Sequence, residues 1–233
     1  MIRSIVRTFR WPVLLVLLLP LLPARPMPVS QDGDYLTWTL KQAETVGKST
    51  RKDGRIGGFF DGRVLSTERS YNFKLRATWF TPEVIRASAR FAQIRNRWNN
   101  EKTSSIVSDA ESMGNTVFLV EIDPREGSGV IPLDWEAYLQ VKGQREKAIS
   151  DNAITGGKAP SLRDNLVFSG VVQRDYAYDR FWVVFPLIGS EKQPILPDSA
   201  GEIELLVRIY DKLGSASWPI PESVRQRIKT LMK

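Results

Sequence analysis

The chain has 233 residues, of which 42% are apolar and 25% are charged. This composition excludes a disordered, collagen-like or coiled-coil protein, and the length is sufficient for one sizeable β domain. The sequence contains no His and no Cys. Their absence excludes Ser-His-Asp and Cys-His catalysis, zinc sites built from these residues, iron–sulfur ligation and disulfides, and we predict no cofactor.

The net charge of +7 is unevenly distributed along the chain. Residues 1–25 contain four arginines and no acid, so the rest of the chain carries only +3. Nucleic-acid binding requires basic residues concentrated on one face of the protein. We therefore expect no nucleic-acid partner.

An apolar segment follows a basic N-terminus. Three arginines precede the run Trp11–Leu22, which contains two prolines. This layout is typical of a signal peptide, so we predict export to the periplasm, the cell envelope or the medium, with transient membrane contact through residues 1–25. The run is shorter than the ~20 apolar residues of a spanning helix. Because no A-x-A motif marks a cleavage site, an uncleaved anchor over residues 1–25 stays open as an alternative, as does a buried N-terminal helix.

Period-two alternation of apolar and polar residues dominates the chain after Pro28. In the clearest stretch, Tyr71–Trp79, five apolar side chains face one way and four polar ones the other, as in an antiparallel strand with one wet face. The same pattern predicts further strands at Leu36–Leu40, Thr116–Asp123, Trp135–Gln140, Leu166–Gln173, Phe181–Phe185 and Ile203–Ile209. We predict a mainly β fold over residues 29–220, an antiparallel two-sheet β-sandwich of jelly-roll or Ig-like type.

Helices are predicted at three places. Thr81-Pro82-Glu83 supplies an N-cap, a first-turn proline and an acid, and a second helical pattern covers Ser104–Met113. The two form a helical hairpin inserted at about residues 82–113 and packed over an edge or end of the sandwich. The last residues, 221–233, form an amphipathic helix, for which docking on the domain and contact with a membrane surface are the two interpretations.

One group of carboxylates has a spacing that suits acid–base chemistry. Glu121 and Asp123 would point to the same face of a strand, about 7 Å apart, with Glu126 close by. The string resembles the ExDxE-type catalytic strand of the jelly-roll glucanases, which implies Glu121 as nucleophile, Asp123 as assisting acid and Glu126 as acid/base. It departs from that pattern at Pro124, which interrupts the strand. The alternative is that the strand ends at Asp123 and that Arg125 pairs with a nearby acid.

Other candidates involve acids and aromatic rings near turns. Asp175 and Asp179, with Tyr176 and Tyr178 between them, are weak candidates for a metal site, because calcium prefers oxygen ligands but needs six to eight of them. A solvated turn is the alternative. Four aromatic residues next to turns or breaks are candidate binding residues: Trp135, Tyr176, Tyr178 and Trp218.

Two phrases of the sequence, Thr78–Arg86 and Val130–Trp135, resemble those of exported bacterial proteins of no assigned activity. The resemblance implies a bacterial exported origin and no site residues. We therefore predict a non-enzymatic exported protein with a binding or structural role at the cell envelope, whose partner is another envelope protein or a glycan. An envelope glycoside hydrolase that uses the three carboxylates and a membrane-attached accessory subunit are the alternatives.

Overall fold

The structure is a computed structural model that describes residues 34–58, 72–126, 129–143, 148–189 and 192–233. The chain divides into Met1–Gln31 and Asp32–Lys233, and all described residues belong to the second unit. The predicted signal peptide or anchor lies outside the described residues. Within them, no helix has both the length and the apolar character needed to cross a bilayer.

Nine strands and four α-helices make up the described part of the chain, with about as many residues in helices as in strands. The strands are β1 (Arg51–Ile56), β2 (Phe73–Phe80), β3 (Asn115–Asp123), β4 (Glu136–Val141), β5 (Ile154–Thr155), β6 (Gly157–Lys158), β7 (Asp179–Pro186), β8 (Glu202–Ile209) and β9 (Lys212–Pro219). The helices are α1 (Leu40–Gly47), α2 (Pro82–Asn96), α3 (Asn100–Ser112) and α4 (Glu222–Leu231).

The strands form two antiparallel sheets, as the alternation predicted. One has the order β1-β2-β3-β7-β6 and the other the order β5-β4-β8-β9. The sheets are connected at both lateral edges. At one edge the chain passes from β5 to β6 through Gly156, whose amide donates to the Ala137 carbonyl at 2.8 Å. At the other edge β1 lies beside β9, where the Gly57 amide donates to the Leu213 carbonyl at 3.2 Å.

The main core lies between the two sheets. Phe73, Leu75 and Trp79 of β2 are at most 1% exposed and belong to this core. The Trp79 ring stacks on Phe118 of β3 at 5.6 Å, and its indole N–H donates to the Thr116 hydroxyl at 2.7 Å. Removing this apolar surface from water is the main source of stability for a sandwich of this kind. Helix α4 docks on the same core through two buried residues, Val224 and Ile228.

A second core covers half of the outer face of the five-stranded sheet. There α2 and α3 pack on outward-facing residues of the sheet, among them Phe80, Leu119 and Trp182. The predicted helical hairpin is therefore present, but its expected position over an edge or end of the sandwich is wrong. The cause is visible in β3, which is buried along both faces after its first residue and so requires a cover on the outside as well.

Two predicted strands are absent. Leu36–Leu40 contains the end of a 3-10 helix, Asp34–Thr37, and the start of α1. Thr39 caps α1 in a reciprocal capping box with Gln42, which competes with the extended conformation. Leu166–Gln173 consists of turns, and the first of them is held by the Asn165 side chain, which accepts from the Val167 amide at 3.0 Å.

Candidate functional site

A row of alternating charges crosses the other half of the outer face of the five-stranded sheet. Asp53 of β1 lies opposite Arg76 of β2, Arg76 lies opposite Glu121 of β3, and Glu121 lies opposite Arg180 of β7. Opposite charges that face each other on neighbouring strands stabilise a sheet. We call these four residues the charged row.

Glu121 is held by an ion pair at the centre of this row. Its side chain is 3% exposed, and its Oε1 accepts from Arg180 Nε at 2.9 Å. On the other side, Arg76 Nε donates to Asp53 at 2.9 Å. Burial alone would lower the pKa of the Arg76 guanidinium, but the hydrogen bond to Asp53 and the charge of Glu121 raise it above its ordinary value. The Arg76 guanidinium therefore stays charged beside Glu121, which is held by its ion pair with Arg180.

Asp123 is also engaged, by a residue two positions along the chain. Its side chain is 1% exposed, and Arg125 donates to it from a terminal nitrogen at 2.8 Å and from its backbone amide at 3.0 Å. The Arg125 hydrogen bonds hold the pKa of the Asp123 carboxyl below its ordinary range. The strand ends at Asp123 and Arg125 pairs with a nearby acid, as the alternative interpretation expected. Glu126 ends the short 3-10 helix Pro124–Glu126, and its side chain lies outside the described part of the structure.

We predict that the Arg125→Gln variant raises the pKa of Asp123 toward its ordinary value near 3.8. A lowered carboxyl pKa contributes stability that is present above the unfolded-state value and is lost as the pH falls through the folded-state value. The difference in unfolding free energy between the wild type and the variant should therefore shrink as the pH falls below about 4. NMR titration of the Asp123 carboxyl carbon measures the shift, and an unchanged pKa would contradict the assigned pair.

The turn segment 172–178 lies beside the charged row. The Arg76 guanidinium carbon lies over the Tyr178 ring, 4.3 Å from its centroid. A carboxylate oxygen of Asp175 lies 3.6 Å from a terminal nitrogen of the same guanidinium. Asp175 also accepts from the Ala177 amide in an Asx turn. Tyr176 is 87% exposed at the tip. Among the residues that the structure describes, no three or more acidic side chains converge as metal ligands would, so nothing supports the metal role considered for Asp175 and Asp179.

Both tryptophans that were candidate binding residues lie in the core. Trp135 is 3% exposed and packs edge-on against Phe181 with a centroid distance of 5.0 Å. Trp218 is 3% exposed, lies 5.4 Å from the Phe118 ring, and donates its indole N–H to the Thr50 carbonyl. Neither offers an exposed ring to a ligand.

A cleft of about 470 Å³ lies between α2 and the turns that follow Asn165. We call it the helix cleft, and its lining includes Ser88, Phe91, Arg95, Leu166, Arg174 and Arg180. The turn side is firmly attached to the sheet. Phe168 is fully buried, and its ring packs edge-on against Phe80 with a centroid distance of 5.3 Å. The Phe168 carbonyl accepts from the Trp182 indole N–H at 2.9 Å. The wall therefore keeps its position relative to α2.

The helix cleft is basic. Three guanidinium groups line it, from Arg95, Arg174 and Arg180, and no acid does so among the described residues. Arg174 also lines two neighbouring depressions on this surface. One of these contains Arg163, and the other contains Arg125. We call this set, Arg95, Arg125, Arg163, Arg174 and Arg180, the arginine surface.

Comparison of the chain with protein-family models, with curated proteins and with solved structures found no match.

The sequence interpretation missed the helix cleft because its parts are far apart in the chain. Ser88 and Arg95 lie two helical turns apart on α2, whereas Arg174 and Arg180 come from the segment before and within β7. The one available signal was the density of arginines between residues 163 and 180, which contains Arg163, Arg174 and Arg180. That signal does not say which groups share a cleft.

Proposed function

We propose that the protein is a non-enzymatic exported component of the cell envelope that binds a negatively charged partner through the arginine surface. The observation that carries this proposal is the position of Arg174, which lines three adjoining depressions. Together these depressions contain seven arginines and two aspartates. A surface lined mainly by one sign of charge concentrates partners of the opposite sign.

Some of these arginines have no acidic partner within the part of the chain that the structure describes. Arg125 and Arg180 are paired with Asp123 and Glu121. In contrast, no ion pair joins Arg163 or Arg174 to an acid in the described ranges, and the Arg174 guanidinium lies 5.2 Å from the centroid of the Tyr176 ring. Guanidinium groups bind carboxylates and phosphates in a planar, two-point geometry. A partner that carries such groups fits this surface.

An anionic glycan is the partner that we favour over an envelope protein. Tyr176 is 87% exposed, and its ring lies beside the Arg174 guanidinium. An exposed aromatic face next to a cation suits a sugar ring that carries an acidic substituent. The envelope location rests on the sequence of residues 1–25. The finer assignment of the sandwich to a jelly-roll or Ig-like topology also stays a prediction.

The glycoside hydrolase alternative gains no support from the geometry. A retaining or inverting mechanism needs one carboxyl group whose pKa is raised so that it can act as an acid. The pKa of Asp123, the assisting acid of that scheme, is instead lowered by Arg125, and Glu121, its nucleophile, is covered by Arg180. The side chain of Glu126, its acid/base, lies outside the described part of the structure. The accessory-subunit alternative depends on whether residues 1–25 are retained, and intact-mass measurement of the mature protein decides it.

We predict salt-dependent binding of the full chain to polygalacturonate, a carboxylated polysaccharide, and none to the neutral polysaccharide dextran. The double variant Arg163→Gln and Arg174→Gln should weaken this binding by about tenfold at low salt, because it removes two unpaired charges from the arginine surface. Isothermal titration calorimetry at two salt concentrations measures the effect.

The matched control is a double variant that removes two positive charges outside the arginine surface. Lys52 and Lys229 are exposed, on β1 and on α4. The double variant Lys52→Gln and Lys229→Gln should bind polygalacturonate nearly as well as the wild type. Equal loss of binding in the two double variants would mean that only net charge matters, and the proposed surface would be wrong.

A further inference from the structure

Ser88, one of the residues that line the helix cleft, has an unsatisfied hydroxyl. The residue is 1% exposed, and its hydroxyl oxygen has no hydrogen-bond partner among the described residues. A serine inside a helix ordinarily satisfies its hydroxyl on the carbonyl four residues earlier. A buried hydroxyl without a partner is costly, so each such group in a native protein calls for an explanation. Since Ser88 lines the helix cleft, a molecule in that cleft would be in a position to provide the partner.

The surroundings of this hydroxyl favour an anion. Arg95, Arg174 and Arg180 contribute three guanidinium groups to the cleft lining, and no described acid lines it. Arg180 is fixed in position because its Nε donates to the buried carboxylate of Glu121 at 2.9 Å. A side chain that is oriented before binding loses less entropy when a ligand arrives.

Part of the cleft lining is apolar. Phe91, Ala92 and Leu166 contribute carbon surface to the cleft, and Leu166 is 45% exposed. Small-molecule sites typically combine such surface with a few polar groups that fix orientation, in volumes of about 300–1,000 Å³. The helix cleft, at about 470 Å³, lies within that range.

We propose that the helix cleft binds a small organic anion, a carboxylate or a phosphate monoester that carries an apolar group. The Ser88 hydroxyl donates to the anion, the guanidinium groups of Arg174 and Arg180 bind it, and the apolar group lies against Phe91 and Leu166. This inference rests on the proposed function, because it assigns a ligand class and a location to binding at the arginine surface. Glu121 is a positioning residue that holds Arg180.

The first experiment uses Ser88→Ala in the full chain. Without ligand, the variant should raise the Tm by about 2–4 °C or more, since it removes an unsatisfied buried hydroxyl. With phenyl phosphate or phenylacetate as the probe, the same variant should weaken binding by about tenfold, since it removes a hydrogen bond to a charged group. The matched control is Ser105→Ala, at an exposed position of α3, which tests the effect of helix propensity alone.

The second experiment compares probes on the wild type. Phenyl phosphate and phenylacetate should shift the amide NMR signals of residues 88–96 and 166–174, and the tighter of the two identifies phosphate or carboxylate as the preferred group. Inorganic phosphate should bind more weakly, because it has no apolar part. Benzyl alcohol, which has the ring without the charge, should not bind.

The possible outcomes separate this inference from the proposed function. If Ser88→Ala lowers the Tm and leaves the affinity for both anions unchanged, the hydroxyl is satisfied by water and the inference is wrong. It is also wrong if benzyl alcohol binds as tightly as the anions. If polygalacturonate binds while neither phenyl probe does, the inference fails and the proposed function stands. If the phenyl probes bind and polygalacturonate does not, the cleft is a site and the glycan is not its partner.

Discussion

Replacing Glu121 with alanine should destabilise the protein by about 3–5 kcal/mol, because it leaves the largely buried Arg180 guanidinium without its counter-charge. The Glu121 side chain is 3% exposed, its partner Arg180 is 15% exposed, and Arg76 on the opposite strand is 12% exposed. Little water can reach these cations to replace the carboxylate. Urea unfolding at neutral pH measures the loss.

A matched variant separates burial from pairing. Glu202 also lies on a strand, as the first residue of β8, and its carboxylate pairs with Lys142 Nζ at 2.7 Å. In this pair, however, both side chains are more than 40% exposed. Glu202→Ala should cost at most about 1 kcal/mol. Glu121→Gln, whose amide oxygen can still accept from Arg180, should lie between the two alanine variants. Equal costs for Glu121→Ala and Glu202→Ala would show that Arg180 and Arg76 are solvated in solution.

The strands that the sequence identifies best are those whose pattern is local. In β2, inward residues such as Phe73 and Leu75 alternate with outward ones such as Lys74, and the period of two is a direct consequence of strand geometry. The same holds for β8. The pattern also placed Glu121 and Asp123 on one face of β3 correctly, since both lie on the outer face of the sheet.

The two long strands that the sequence missed, β1 and β9, contain glycine. Asp53-Gly54 and Leu213-Gly214 have the composition of turns, yet they lie within β1 and β9. In these strands glycine permits close approach of two backbones. A Cβ at position 54 would lie 3.3 Å from the Ser215 carbonyl oxygen on the neighbouring strand. The sequence of β1 contains no pattern that predicts its contact with β9, and the same is true of the sequence of β9.

The candidate site shows the same limit. The sequence identifies Glu121 on β3, but it does not identify Arg76 and Arg180, which the strand register brings opposite Glu121 from β2 and β7. The arginines of α2 illustrate the point. Arg86 pairs with Glu111 of α3 and Arg90 donates to the Trp38 carbonyl, so both hold the helices together. Arg95, on the same helix, lines the helix cleft instead.

One face of the five-stranded sheet thus serves two purposes. Its apolar half, with Phe80 and Leu119, is covered by helices, and its charged half, with Arg76 and Glu121, lies beside the turn segment 172–178. The helix cleft lies beside Arg180, the last member of the charged row. Its other wall is α2, which covers the apolar half of the sheet. The site is therefore a consequence of a cover that spans only part of the sheet.

The close approach of β1 and β9 gives the second large prediction, that Gly214→Ala destabilises the protein by about 3 kcal/mol. A Cβ at position 214 would lie 2.6 Å from Ile56 Cγ1 and 2.9 Å from the Arg55 carbonyl oxygen. Rotation of a side chain cannot relieve contact with a backbone oxygen. The strands must separate, which weakens the hydrogen bond from the Gly57 amide to the Leu213 carbonyl.

The control is Gly157→Ala, on the opposite edge of the five-stranded sheet. Its Cβ would lie 3.5 Å from Val184 Cγ2, an ordinary van der Waals contact. Because alanine restricts the unfolded chain more than glycine does, this variant should be neutral or more stable by up to about 1 kcal/mol. Hydrogen exchange should show faster amide exchange in β1 and β9 for Gly214→Ala only. Equal stability of the two variants would mean that β1 does not lie against β9, and that the sandwich is open at that edge.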